Sequence, residues 1–91
     1  MKDSLRNKVV IITGASSGIG RSIALESAGR GATVILIARR KDRLEEIAAE
    51  ARELSGAEAY VFPTDMGKPD DIEKTFDEIT KKGVKEGMAH P

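Results

Sequence analysis

This chain has no cysteine and no tryptophan, very few aromatics, no excess of either charge and no long apolar run. Without cysteine, disulfides, thiolate nucleophiles and Cys-based zinc sites are excluded. The aromatics are Tyr60, Phe62 and Phe76, too few for the base-stacking platforms that bind single-stranded nucleic acid. Fifteen basic side chains balance fifteen acidic ones, so there is no general attraction to nucleic acid or to an anionic membrane, and neither is an expected partner. Apolar runs such as Val9 to Ile12 are far too short to span a bilayer. No apolar h-region follows the opening Met1-Lys2-Asp3-Ser4-Leu5-Arg6, so no secretory signal is expected and the cytoplasm is the expected compartment. The single histidine, His90, sits beside the C-terminus with nothing around it to orient a proton transfer. No spacing of His, Asp and Glu suggests a metal site. Ninety-one residues hold one small domain of modest stability.

What is present is a clean alternation of periods. Lys8 to Ile12 reads as a buried strand, because its apolar residues run without alternation. A helix is predicted from about Gly18 to Arg30, with Ile19, Ile23, Ala24 and Ala28 as its apolar stripe and Gly31 just past its end. Thr33 to Ala38 is a second buried strand. A second helix, about Lys41 to Leu54, has Leu44, Ile47, Ala48, Ala51 and Leu54 at helical spacing and is ended by Ser55-Gly56. Its acidic residues Glu45, Glu46, Glu50 and Glu53 fall mostly on the outer face, as solvated surface rather than paired catalytic carboxylates. Ala59 to Phe62 is a third strand closed by Pro63. A third helix starts near Lys68, with Pro69 at its first position, Asp70 and Asp71 at the positive end of its dipole, Ile72, Phe76 and Ile79 facing inward, and Gly83 as its stop. Residues 1–83 thus form the expected domain, and Val84 to Pro91 an irregular tail.

Strands alternating with helices of this length predict right-handed crossovers and a parallel sheet. The fold class is α/β, with a Rossmann-like sheet of strand order 3-2-1, the first half of a doubly wound fold.

The first strand-to-helix junction is the chemical centre. Val9-Val10-Ile11-Ile12-Thr13 runs into glycines at 14, 18 and 20, and a helical pattern starts at once. Glycines here permit a sharp turn and a close approach of ligand to backbone, and the N–H groups at the helix N-terminus favour a phosphate. Gly14, Ser16, Ser17, Gly18, Ile19 and Gly20 are the candidate residues of a dinucleotide cradle. The serines could donate to phosphate oxygens, cap the helix, or both. Arg21, on the first turn, faces either solvent or phosphate, with solvent favoured.

The end of the second strand selects the cofactor. An acid about twenty positions after the last glycine would bind the ribose 2′-hydroxyl of NAD. Here the chain reads Ile37-Ala38-Arg39-Arg40. Ala38 leaves room and carries no charge. Arg39 and Arg40 offer guanidinium forks that match a phosphate monoester, which points to NADP(H) before NAD(H). The competing reading is a solvated basic loop. Asp65, in Pro63-Thr64-Asp65-Met66, lies at the ligand-binding edge of such a sheet, and could accept from an adenine amino group or simply make an Asx-type turn.

Together these residues resemble the short-chain dehydrogenase/reductase family. Its T-G-x-x-x-G-x-G signature is met by Thr13, Gly14, Gly18 and Gly20. Asn7-Lys8-Val9, Gly31-Ala32 and Thr64-Asp65-Met66 are similar to family sequences at the corresponding steps. The resemblance implies that Asp65 contacts adenine, with Met66 beside it, and that Arg39 is the basic selectivity residue of an NADP-preferring member. Some such members also carry a basic residue just before the second motif glycine. That position is Ser17 here, which leaves selectivity to Arg39 and Arg40. The resemblance covers roughly residues 5 to 83. Family members are usually more than twice this length. They continue into a fourth strand, an Asn-Ala-Gly step, a serine, and a tyrosine four residues before a lysine. None of that is in this sequence: Tyr60 is followed at position 64 by threonine. The expectation is a dinucleotide-binding portion of an oxidoreductase that is inactive alone. The alternatives are a non-catalytic nucleotide-binding or interaction module, which could self-associate through its sheet edge, and a remnant that does not fold stably.

Overall fold

The computed structural model describes residues 4–15, 17–56 and 58–82. The expected helix stop at Gly83, the tail 84–91 with His90, and Ser16 lie outside the described residues. The elements run β1 (Val9–Thr13), α1 (Gly18–Gly29), β2 (Thr33–Ala38), α2 (Lys41–Ser55), β3 (Ala59–Pro63) and α3 (Pro69–Lys82). The three strands are parallel, in the order β1-β2-β3. This is the expected α/β half of a doubly wound fold, with β2 in the middle.

β2 carries the core because its side chains alternate between two covered faces. Val34, Leu36 and Ala38 join Ile12 and Ala59 under Ala24 and Ala28 of α1 and Leu44, Ile47, Ala48 and Ala51 of α2. Ile35 and Ile37 point the other way, against Ile79 of α3, with Val9, Tyr60 and Phe62 beside them. Val34 through Ile37 are completely buried, each worth about 1.5–3 kcal/mol relative to exposure. α2 ends at Gly56, whose φ of 68° is the left-handed conformation glycine adopts most readily there.

Several apolar positions depart from the expected pattern. β1 is not fully buried: Ile12 is, but Ile11 is 45% exposed. The strand lies at one edge of the sheet, paired only with β2 among the described residues. α1 buries Gly20, Ala24, Ser27 and Ala28, all small, so the helix axis can come close to the sheet. Ile19 and Ile23, expected in the stripe, project from that contact and are exposed. Leu54 of α2 and Phe76 of α3 are likewise exposed, while Ile72 is half-buried and Thr75 takes an inward position on α3.

The register brings the strand ends together. Thr13 pairs with Ile37 and Ala38 with Pro63, so all three strands finish at one edge and their following loops meet there. The loops continue the sheet bonding: Gly14 N–H donates to Ile37 O at 2.8 Å, and Thr64 N–H to Ala38 O at 2.7 Å.

Candidate dinucleotide site

The glycine turn is built from the inside outward. Gly14 has φ 67°, a conformation that costs an ordinary L residue about 1–2 kcal/mol. Its carbonyl then receives the Ser17 amide at 3.1 Å and the Ser17 hydroxyl at 2.9 Å. The same Ser17 Oγ accepts from Gly20 N–H at 3.0 Å, so Ser17 is the N-cap of α1. Gly20 is buried against the Gly14 and Ala15 backbone. Arg21 N–H donates to Ser17 O. The first four amides of a helix lack intrahelical partners, and here two of them, on Gly18 and Ile19, bond to no described residue. Both residues are exposed. Among the described residues, then, two N–H donors at the positive end of α1 are without an acceptor, an arrangement that suits an anion.

Arg21 points elsewhere. Its guanidinium grips both carboxylate oxygens of Glu50 on α2, at 2.7 and 2.8 Å.

Beside the turn lies an open cleft of about 400 Å³, lined by Gly14, Ala38, Arg39, Arg40, Asp65, Met66 and Gly67. Three segments far apart in sequence, one after each strand, meet in it. Of the candidate residues, Gly14, Arg39, Arg40, Asp65 and Met66 line this cleft. Ser17, Gly18, Ile19 and Gly20 form the adjoining helix start. Gly67 was not among the expected residues. Its N–H donates to Asp65 Oδ1 at 2.9 Å, closing an Asx-type turn. The signal for it was the Asp-x-Gly spacing.

Asp65 is fixed from several sides. Besides the Gly67 bond, its own N–H donates to Asp71 Oδ2 at 3.1 Å and its carbonyl accepts from Lys68 N–H at 3.0 Å. Asp65 Oδ2 has no partner among the described residues. The Asx-type turn is thus present, made by one carboxylate oxygen. Behind it, buried Thr64 donates to Phe62 O at 3.0 Å and meets the Thr75 hydroxyl at 2.5 Å. A hydroxyl has one proton, so with that proton on Phe62, Thr75 is the donor to Thr64.

The two arginines differ. Arg39 is exposed and has no partner among the described residues. Arg40 holds Asp42 with two bonds, Nε to Oδ1 at 3.3 Å and Nη2 to Oδ2 at 3.0 Å. The side-chain hydrogen bond raises the Arg40 pKa above its ordinary value. It also keeps the Asp42 carboxyl below the usual range, helped by the Arg43 amide.

A family model described as short chain dehydrogenase matches residues 8–85. The chain belongs to this family. Among its relatives, 11-beta-hydroxysteroid dehydrogenase 1A of Arabidopsis thaliana is 51% identical over 76 residues, covering 84% of this chain and 22% of that protein. L-sorbose reductase from Gluconobacter frateurii, solved with NADPH and L-sorbose, superposes with a TM-score of 0.80 at 34% identity, over 90% of this chain and 31% of that one. An NAD+-bound xylitol dehydrogenase superposes with a TM-score of 0.80 at 29% identity, over 86% of this chain and 30% of that one. The chain thus spans less than a third of the length of each of these proteins. Its structural relatives include both an NADPH and an NAD+ complex.

Tyr60 lies in β3, half-buried, with its hydroxyl bonded to Glu58. It sits on the strand rather than at the C-terminal edge where the cleft opens. Among the described residues no cluster of three His, Asp or Glu side chains could hold a metal ion. No described helix is long and apolar enough to cross a membrane.

Proposed function

We propose that this chain is the NADP(H)-binding portion of a short-chain oxidoreductase. The observation that carries the reading is the meeting of Ala38, Arg39 and Arg40 with Gly14 and Asp65 in one cleft, beside the Gly18 and Ile19 amides, which have no acceptor among the described residues. The amides and the α1 dipole suit a pyrophosphate. Asp65 Oδ2 suits an adenine amino group. Arg39 suits a 2′-phosphate, and Ala38 offers no carboxylate to repel one. The cofactor supplies hydride chemistry between nicotinamide and an alcohol or carbonyl. The residues of this chain bind and orient its adenosine end. With Tyr60 tied to Glu58 and no tyrosine four residues before a lysine, the 91-residue chain binds cofactor without turning over.

Titration with NADPH, NADH, 2′,5′-ADP and 5′-AMP tests this. A charge-assisted bond contributes about 1.5–3 kcal/mol, so the 2′-phosphate should tighten binding by about tenfold or more. Equal affinities would remove Arg39 from its role. Steady NADPH oxidation by the pure chain with a panel of carbonyl compounds would overturn the assignment as a binding portion only.

A second reading, an interaction module, is favoured by one feature: among the described residues β1 is bonded on one side only, with Ile11 exposed on that strand. Such an edge can add a strand from a second copy of the chain. Sedimentation across a concentration series would show association, and a monomer at every concentration would dismiss it.

A further inference from the structure

We propose that Asp42 is a positioning residue for nucleotide 2′-phosphate, holding the Arg40 guanidinium ready at the cleft. This rests on the NADP(H) reading above.

Asp42 lies in the first turn of α2, two residues after Arg40, which is that helix's N-cap. A carboxylate is favoured at this end of a helix. Arg40 itself has extended backbone angles and makes no side-chain cap bond, so its side chain is free to take another partner. It takes Asp42, and through one particular edge. A guanidinium has a side fork, Nε with Nη2, and an end fork, Nη1 with the second hydrogen of Nη2. Asp42 occupies the side fork. The end fork has no partner among the described residues. Arg40 lines the cleft and Asp42 does not. The carboxylate thus engages one fork of a cleft-lining arginine and leaves the other, a two-donor face suited to a phosphate, without a described partner.

Two effects of Asp42 on a bound phosphate oppose each other. Its charge repels the ligand, but the side chains are 63% and 67% exposed, where water and salt screen such repulsion. Its grip removes rotamer freedom that Arg40 would otherwise lose on binding. Ordering one such side chain in advance changes affinity by about two- to tenfold, and we take this effect to win. Arg39, with no described partner, has no such advantage.

The test compares dissociation constants for NADPH and NADH on the full chain, at fixed ionic strength, for wild type, Asp42→Ala, Asp42→Asn, Arg40→Ala and the Arg40→Ala/Asp42→Ala double variant. Asp42→Ala should lower the preference for NADPH by about two- to tenfold, through the NADPH constant. Asp42→Asn, which keeps one acceptor and the helix-start geometry, should fall between. In the Arg40→Ala background, removing Asp42 should change nothing further. A merely structural role would weaken both nucleotides together, and that result overturns the proposal. An unchanged or increased NADPH preference in both Asp42 variants also overturns it, the increase meaning that repulsion wins. If wild type itself shows no NADPH preference, the NADP(H) reading fails first, which is a distinct outcome.

Discussion

A Cβ placed on Gly20 would lie 2.5 Å from the carbonyl oxygen of Gly14, and 2.8 Å from the Ala15 Cα. These are backbone atoms and cannot swing away. The third motif glycine is thus where α1 is held against the turn. Gly18 is different, since nothing stands within 4 Å of a Cβ built on it. Gly20→Ala should destabilise the fold by about 1–3 kcal/mol, as overpacking does. Gly18→Ala should leave stability unchanged or raise it by up to about 1 kcal/mol, yet weaken dinucleotide binding where ligand must approach the backbone. Thermal melts and nucleotide titrations on both variants check the split. Equal stability losses would show that Gly18 serves the fold alone.

Arg39 and Arg21 allow a second separation. Arg39 stands in the cleft without a described partner, whereas Arg21 is held by Glu50. Arg39→Ala should reduce the preference for 2′-phosphorylated nucleotides by about tenfold, the worth of one charge-assisted bond. Arg21→Ala should leave that preference where it was and cost at most about 1 kcal/mol of stability, since the pair is half exposed. Calorimetric titration distinguishes them. A selectivity loss in the Arg21 variant would mean the Glu50 pair opens when ligand binds.

The Thr64–Thr75 hydrogen bond ties α3 to the Asp65 turn. Thr75→Val keeps the shape and removes the donor, while Thr64 retains Phe62 O. The expected cost is about 0.5–1.5 kcal/mol, or a fall in Tm of a few degrees, roughly 4–8 °C per kcal/mol for a domain this small. Adenosine affinity should drop with it. A melt identical to wild type would show that the bond contributes nothing to holding the turn.

The pH dependence should come first from the ligand. Asp42 has its pKa depressed in the folded chain. Its contribution is therefore present above the unfolded carboxylate pKa and lost only as pH falls through the lower folded value. Both partners are exposed, so the effect on stability is small. Between pH 7.5 and 5 the Arg40–Asp42 pair stays intact, while a phosphate monoester takes up its second proton near about pH 6. Selectivity for NADPH should decline across that interval, and fall again in stronger acid as Asp42 protonates. Ratios of dissociation constants measured across pH would check this, and a selectivity flat from pH 7.5 to 5 would contradict a direct phosphate contact.

Much of this was legible in one dimension, because the signals are local. The apolar runs of β2 and β3, the 3.6-residue spacing of Leu44, Ile47, Ala48 and Ala51, the glycines at 14, 18 and 20, and Pro69 at the start of α3 each follow from the backbone preferences of a few adjacent residues. The same locality explains the errors. Ile19, Ile23, Leu54 and Phe76 fit a helical stripe as well as their buried neighbours do. Their exposure depends on how closely each helix lies against the sheet and on what covers it, which no single helix encodes. Ile11 follows the same logic from its place on an edge strand.

By itself the sequence determined the alternation of strands and helices, the glycine turn, and a basic rather than acidic residue after β2, since each is written in neighbouring residues. Only the tertiary structure decided which side chains work together. Parallel register brings Gly14, Arg39 and Asp65 to one cleft, a helix–helix contact draws Arg21 away to Glu50, and Asp42 leaves just one fork of Arg40 open. Those pairings depend on distances between elements, set by how their surfaces fit, and spacing along the chain does not contain them.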